Sequence, residues 1–434
     1  MDKMADVLGR AGAWCGQNKY LSAIKNAFQN FMPLTIAGAI GVLWCNVLVN
    51  ESTGLGIFFK PIMALEFLNP AFQAVNFCTI SCITVGITLG IAQEIGVWNM
   101  GAEKAGYIPG LVGLAAWLSV TNTSHMVEGA KEAFTGIAGN ELGATGLFTG
   151  MIIGVLSVEL FCFFEKQDAL KIKMPEQVPP GVARAFEVLV PATITLIITA
   201  CIGSACYNLT GLYLNDVIKN GIQGPLGAVG ATIPGVMIIY LVIMLFWLVG
   251  IHGNNMLSAV KEALFTPLAL ENVEKFNKGE KPTNIINMYA LQMWGEFGGS
   301  GVTIGLVIAI MIFGKREDNK AIATLSLVPG LFNINETVTF GVPMVLNPIL
   351  GIPFVVAPLV TIIIGYVLTV IGFCPVACLT VPWTTPPIVF GFLACGANVM
   401  GAVTQAILIV VSTVIYTPFL ISYEKYQNKQ AAEA

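Results

Sequence analysis

The chain has 434 residues, of which 56% are hydrophobic and 11% charged, with a formal net charge of −4. A soluble globular domain carries about 25% charged residues, so this chain has too little polar surface to face water on all sides. Its slight acidity leaves no basic footprint for a nucleic acid.

The first apolar run begins near Phe31, after a lead-in of about 30 residues carrying Lys3, Arg10, Lys19 and Lys25. No small-residue cleavage site follows a short apolar core there, so the segment reads as an amphipathic cytoplasmic lead-in rather than a removable signal. A spanning helix needs about 20 apolar residues. That length is met by Phe31–Val49, Phe72–Ile95, Gly146–Phe164, Val188–Tyr207, Thr232–Ile251, Val355–Phe373 and Asn398–Ser422. Tyr107–Val120, Gly301–Phe313 and Ile322–Leu346 are shorter or broken candidates. The expected fold is an all-α polytopic membrane protein of about ten transmembrane helices.

Two apolar segments carry too much polarity or proline for simple spans. Gly253–Leu268 holds Lys261 and Glu262, and Pro375–Gly396 holds Pro375, Pro382, Pro386 and Pro387. Non-helical backbone at membrane depth has to be buried in protein or line a cavity, so both are expected to be re-entrant hairpins. Clusters of basic residues at Lys166–Arg184, Lys275–Lys281, Lys315–Lys320 and Lys425–Lys429 assign those loops and both termini to the cytoplasm, with Lys60, Lys131 and Lys219 outside. Pro175–Pro180 and the glycine run Gly221, Gly224, Gly227 and Gly230, read as an external loop, are the expected hinges between bundles. Gly146, Gly150 and Gly154 form a double GxxxG stripe that suits either close packing inside a bundle, the favoured reading, or a dimer seam. The ten cysteines form no CxxC pair and read as reduced, small membrane-helix residues. No metal site is expected.

His252 ends a very apolar run and opens His252-Gly253-Asn254-Asn255. That cluster is either a lined cavity or a helix end capped by Gly253. Glu336 lies in Pro329-Gly330-Leu331-Phe332-Asn333-Ile334-Asn335-Glu336. An ionisable group at a membrane helix centre costs about 2.5–3.5 kcal/mol on insertion scales, so Glu336 should meet water, a ligand or a partner. Asn254, Asn333, Asn335 and Glu336 together offer donors and acceptors to a ring of hydroxyls. Trp383, in the proline-rich segment, has an indole face suited to the apolar face of a sugar ring. Glu296, in Trp294-Gly295-Glu296-Phe297-Gly298-Gly299, is a further candidate. Walker A, HExxH and Rossmann glycine patterns are absent, so the sequence offers no nucleotide or cofactor site, and any phosphate must come from another protein.

Three stretches, Gly250-Ile251-His252-Gly253-Asn254, Pro329–Phe354 and Pro382–Ile388, make the sequence resemble enzyme IIC of the lactose/cellobiose/diacetylchitobiose branch of the phosphotransferase system. One departure is Thr337, where many relatives carry proline. The resemblance implies a homodimer in the bacterial inner membrane, with residues 1–230 as scaffold and residues 231–434 as a moving sugar-binding bundle. It implies a phosphorylated enzyme IIB partner and a β-linked disaccharide, diacetylchitobiose ahead of cellobiose, phosphorylated at its 6-hydroxyl. Glu336 and His252 match positions near that hydroxyl, Glu336 as base. Asn254, Asn333, Asn335, Trp383 and Glu296 would bind the rings. The competing expectation is an ion-coupled disaccharide symporter, which would also want a buried carboxylate.

Overall fold

The structure is a computed structural model and describes residues 10, 13–14, 17–51, 56, 59–125, 134–175 and 177–433. Lys3 of the lead-in and Lys131 lie outside the described residues. Among the described residues, the α-helices of eight or more residues are α1 (Lys19–Leu43), α2 (Asn69–Asn76), α3 (Ile83–Met100), α4 (Ile108–Val120), α5 (Ala144–Glu165), α6 (Pro180–Thr210) and α7 (Ile233–Leu248). They continue with α8 (Ser258–Asn277), α9 (Met288–Gly295), α10 (Ile304–Phe313), α11 (Glu317–Leu331), α12 (Gly351–Val370) and α13 (Val399–Glu433). Five helices, at Lys19–Leu48, Ala144–Glu165, Pro180–Thr210, Gly351–Val370 and Val399–Gln430, are long and apolar enough to cross a membrane. A sixth arises if Lys60–Ser81 and Ile83–Met100, bent by 42°, form one span. Helices α4, α7 and α10 are apolar but shorter.

The chain divides into two compact units. One contains Gln17–Gly38 and Ala74–Gly227, the other Ala39–Gln73 and Ala228–Ala434. Pro175–Pro180 therefore falls inside the first unit. The chain leaves it within α1, returns within α2 and leaves again after Gly227.

In the first unit α3, α4, α5 and α6 pack together around Ala116, Trp117, Val120 and Ile153. Small side chains set how closely the helices approach. A β-carbon at Gly150 would overlap the Thr88 hydroxyl and Thr84 on α3, and one at Gly154 would press on the Thr88 carbonyl. The GxxxG stripe thus packs within the unit. Glu165 closes the end of α5, accepting from Lys104 at 2.8 Å and Arg184 at 3.1 Å. The glycine run expected as a loop is instead helical, a π turn at Lys219–Gln223 followed by α-helix over Gly224–Gly230. Gln223 is buried there and reaches the carbonyl of Ala144, a tertiary contact that offsets the poor helix propensity of glycine.

In the second unit α12 packs on α7, α9 and α13, and α13 also covers α10. Gly253–Leu268 does not double back. From Ser258 it runs as one helix to Asn277. Its polar residues are satisfied without a break, because Glu262 accepts from Thr266 one turn on and Lys261 pairs with Glu296. The reversal comes after Asn277, where the Asn272 side chain accepts from the amides of Thr283 and Asn284 and turns the chain back into α9. Pro375–Gly396 does reverse. The amides of Cys378 and Leu379 both donate to the carbonyl of Ala394, tying the inbound arm to the outbound one. Cys374 and Cys395 sit at its base as free thiols, their sulfurs 3.9 Å apart in a hydrogen bond.

Candidate functional site

The site assembles at breaks in helices, where backbone groups and polar side chains escape the regular ladder. Helix α7 ends at Leu248 and is closed by Gly250, not by Gly253. Gly250 adopts φ +81°, and the Ile251 amide returns to the Phe246 carbonyl, a glycine cap that only a residue free of a β-carbon enters easily. The chain is thereby turned to present His252, which caps the one-turn helix Gly253–Met256. Its Nδ1 accepts from the Asn255 amide at 3.2 Å. An imidazole nitrogen that accepts carries no proton, so the ring proton resides on Nε2. The ring lies against Trp247, centroids 4.5 Å apart, and Nε2 stands 3.8 Å from Oε1 of Glu336. Asn254, next to it, buries Oδ1 without a hydrogen-bond partner among the described residues.

Glu336 comes from the other side. Helix α11 stops at Leu331 and a new helix starts at Glu336. Between them Asn333 adopts φ +63°, which asparagine tolerates better than most residues. Its side chain is used in full. Oδ1 accepts from the Gly298 amide at 2.6 Å, and Nδ2 donates to the carbonyls of Trp383 and Thr385, the latter at 3.1 Å. Asn335 is buried and donates to the Ser300 carbonyl at 2.8 Å and to Thr339 at 3.2 Å. Neither asparagine bonds the carboxylate. Glu336 is 47% exposed and free to meet a ligand.

Beneath these residues runs the loop Phe297–Val302. Gly298, Gly299 and Gly301 have φ of +69°, +88° and +80°, and a β-carbon on Gly299 would run into the Asn335 side chain. The loop follows Glu296, whose Oε1 accepts from the Tyr240 hydroxyl at 2.7 Å and from the Lys261 ammonium. Glu296 and Lys261 are largely buried, and as a pair they place no net charge there. Trp383 sits on the turn of the proline hairpin, where the Thr385 amide returns to Pro382, and is 44% exposed.

The structure thus brings His252 and Glu336 face to face and hangs the Trp383 turn on Asn333. It engages Asn335 and Glu296 in internal bonds. The sequence reading missed Tyr240, Trp247 and Gln405, a lone amide inside the apolar run of α13, and took Lys261 as the mark of a hairpin rather than as the partner of Glu296. A polar side chain in such a run is the one signal that could have marked Gln405.

This is a multi-pass helical membrane protein in which a polar, carboxylate-bearing cluster is held at helix breaks. The family model described as phosphotransferase system, EIIC, matches residues 25–358, and the chain belongs to that family. It is 32% identical over 429 residues to the oligo-beta-mannoside-specific EIIC component of Bacillus subtilis (strain 168), covering 98% of this chain and 94% of that protein. It is 29% identical to the cellobiose-specific EIIC component of Lactococcus lactis subsp. lactis (strain IL1403), covering 98% of each. The crystal structure of the transporter ChbC, the IIC component from the N,N'-diacetylchitobiose-specific phosphotransferase system, superposes with a TM-score of 0.88 at 30% identity, over 97% of both chains.

Proposed function

We propose that this EIIC protein binds a β-linked disaccharide, diacetylchitobiose first and cellobiose second, and carries it across the bacterial inner membrane for phosphorylation at the 6-hydroxyl by a phosphorylated EIIB partner. The observation that carries the reading is the open carboxylate of Glu336, 3.8 Å from the Nε2 of His252. The lactose-specific relative of Streptococcus mutans, named an EIICB component, supports a partnership with EIIB, and this chain covers 71% of it.

In this reading the sugar 6-oxygen attacks phosphorus in line as the bond from phosphorus to the EIIB cysteine breaks. The hydroxyl proton passes to Glu336, and the cysteine leaves as thiolate. His252, with its proton on Nε2, donates to the 6-oxygen or to a phosphoryl oxygen, so a neutral ring suffices. Trp383 stacks on a sugar ring, and the unpaired Oδ1 of Asn254 accepts from a hydroxyl. Asn333 and Asn335 act by holding the Trp383 turn and Glu336. Glu296, bonded to Lys261 and Tyr240, heads the glycine loop beneath them.

The same reading takes the fold as ten crossings with two re-entrant hairpins, α8–α9 and Pro375–Gly396, and both termini in the cytoplasm. It takes residues 1–230 as scaffold and residues 231–434 as the moving bundle of a homodimer. The test is equilibrium binding of labelled diacetylchitobiose to purified protein, competed by cellobiose, mannobiose and lactose, followed by uptake into vesicles with and without phosphorylated EIIB. Release of sugar phosphate only with EIIB supports the reading. Accumulation of unmodified sugar on an ion gradient overturns it in favour of the symporter.

A further inference from the structure

The geometry points to Gln405 as the residue that positions Trp383, and so as a determinant of sugar affinity that touches no sugar itself. This rests on the disaccharide reading above. Gln405 lies on α13, is 1% exposed, and is surrounded by apolar neighbours. Its Oε1 accepts from the amides of Ile388 at 2.7 Å and Gly391 at 2.8 Å, and its Nε2 donates to the carbonyl of Met293 on α9 at 3.2 Å. One side chain thus joins the outbound arm of the proline hairpin to two helices.

The arm needs such a clamp. Ile388 has φ +76°, a left-handed conformation that a β-branched residue avoids and that persists only where its surroundings over-determine it. The Ile388 amide has Gln405 as its acceptor. Three residues on, Gly391 lies so close to α13 that a β-carbon there would meet the carbonyl of Gly401 and the Gln405 side chain. The hairpin therefore seats against α13 in one position, with Gln405 in the notch.

From Ile388 back to the tryptophan the chain is stiff. Pro386 and Pro387 fix their own φ and restrict the residue before each. The other end of this stiff segment hangs from Asn333, which donates to the carbonyls of Trp383 and Thr385. Trp383 is thus suspended between Asn333 and Gln405. The inbound arm is held separately, since Ala377 accepts from Asn272 and Asn287, and Thr380 bonds Tyr289. Loss of Gln405 frees the outbound arm at Ile388 and Gly391 and leaves the Trp383 turn held only from the Asn333 side, while the inbound arm and its tie to Ala394 stay in place.

The test uses the full-length protein in detergent with three substitutions. Gln405→Met keeps the shape and removes the amide. Gln405→Asn keeps the amide but falls a methylene short of both backbone amides. Gln405→Glu, as the protonated acid that so buried a site imposes, keeps an acceptor for both amides and a donor for the Met293 carbonyl. Hydrogen exchange over residues 375–396 reads the clamp without any sugar, and equilibrium binding of diacetylchitobiose, cellobiose, mannobiose and lactose reads its effect. Gln405→Met and Gln405→Asn should speed exchange at Ile388 and Gly391 and weaken binding of the favoured sugar about tenfold. Gln405→Glu should stay within about threefold of the parent protein. In a Trp383→Ala background, Gln405→Met should add less than about twofold, because the residue it acts through is gone.

Equal losses in the two backgrounds would assign Gln405 a merely structural role, and faster exchange with unchanged affinity would overturn the positioning role outright. Should Gln405→Met not accumulate as folded protein, the contrast between Gln405→Asn and Gln405→Glu decides. A parent protein that binds none of the four sugars sinks the sugar reading, while hydrogen exchange still reports whether Gln405 holds the hairpin.

Discussion

Replacing Glu336 by glutamine preserves shape and one acceptor oxygen and removes the charge and the proton-accepting function. Little stability should be lost. The carboxylate is 47% exposed, and its nearest ionisable neighbour, His252 at 3.8 Å, uses Nδ1 as an acceptor and so carries no full charge. Even two full charges at that separation in water would attract by only about 1 kcal/mol. Binding loses the difference between a charged and a neutral acceptor. Charge-assisted hydrogen bonds contribute about 1.5–3 kcal/mol against about 1 kcal/mol for neutral ones, so affinity should fall by about 2- to 30-fold. Phosphoryl transfer should fall much further, since a positioned general base contributes about 10²–10⁴ in rate. The assay is formation of sugar phosphate by vesicles supplied with phosphorylated EIIB, at saturating sugar, beside equilibrium binding on the same preparation. A transfer rate within about threefold of the parent protein would refute the assignment of Glu336 as base.

His252→Asn should keep an acceptor for the Asn255 amide, and hence the thermal midpoint, while abolishing transfer. His252→Phe should also destabilise by about 0.5–2 kcal/mol, the range for loss of a helix N-cap, and a thermal melt beside the transfer assay separates the two. Trp383→Ala should weaken disaccharide binding by about tenfold, with Trp383→Phe recovering much of the loss, as titration of the purified protein would show. Gly150→Ala should destabilise by about 1–3 kcal/mol through overpacking against Thr88, and Thr88→Ala in the same chain should restore part of it in a thermal melt. Asn335→Leu should leave the Ser300 carbonyl without its donor, at about 1–3 kcal/mol, and lower sugar affinity because the backbone bearing Glu336 is no longer held.

Much of the site could be located in the chain before its geometry was known. An ionisable or strongly polar residue in an apolar run is expensive enough to mean something, and that argument picked out His252, Asn254 and Glu336 as candidates, while proline interruption marked the Trp383 segment. The same argument misread the Gly253–Leu268 segment. Its polar residues suggested a break, yet Lys261 finds Glu296 and Glu262 finds Thr266, so the helix continues to Asn277. The glycine run around Gly224 was misread for a related reason. Its weak local propensity is overridden by tertiary context, in which Gln223 is buried and reaches a residue 79 positions away.

The sequence alone determined what depends on composition and period. Low charge and long apolar stretches require a membrane, and polar or proline-bearing interruptions mark where helices break and a ligand can be met. Helix GxxxG spacing likewise announced close packing. Only the tertiary structure decided which of the polar residues remain open. Asn333, Asn335 and Glu296 look as available as Glu336 when read along the chain, but each finds internal partners distant in sequence, whereas Glu336 bonds neither neighbouring asparagine and stays exposed beside His252. The physical reason is that hydrogen-bond satisfaction is a property of positions in space, and a side chain's free valences can be counted only after the chain has brought its partners to it.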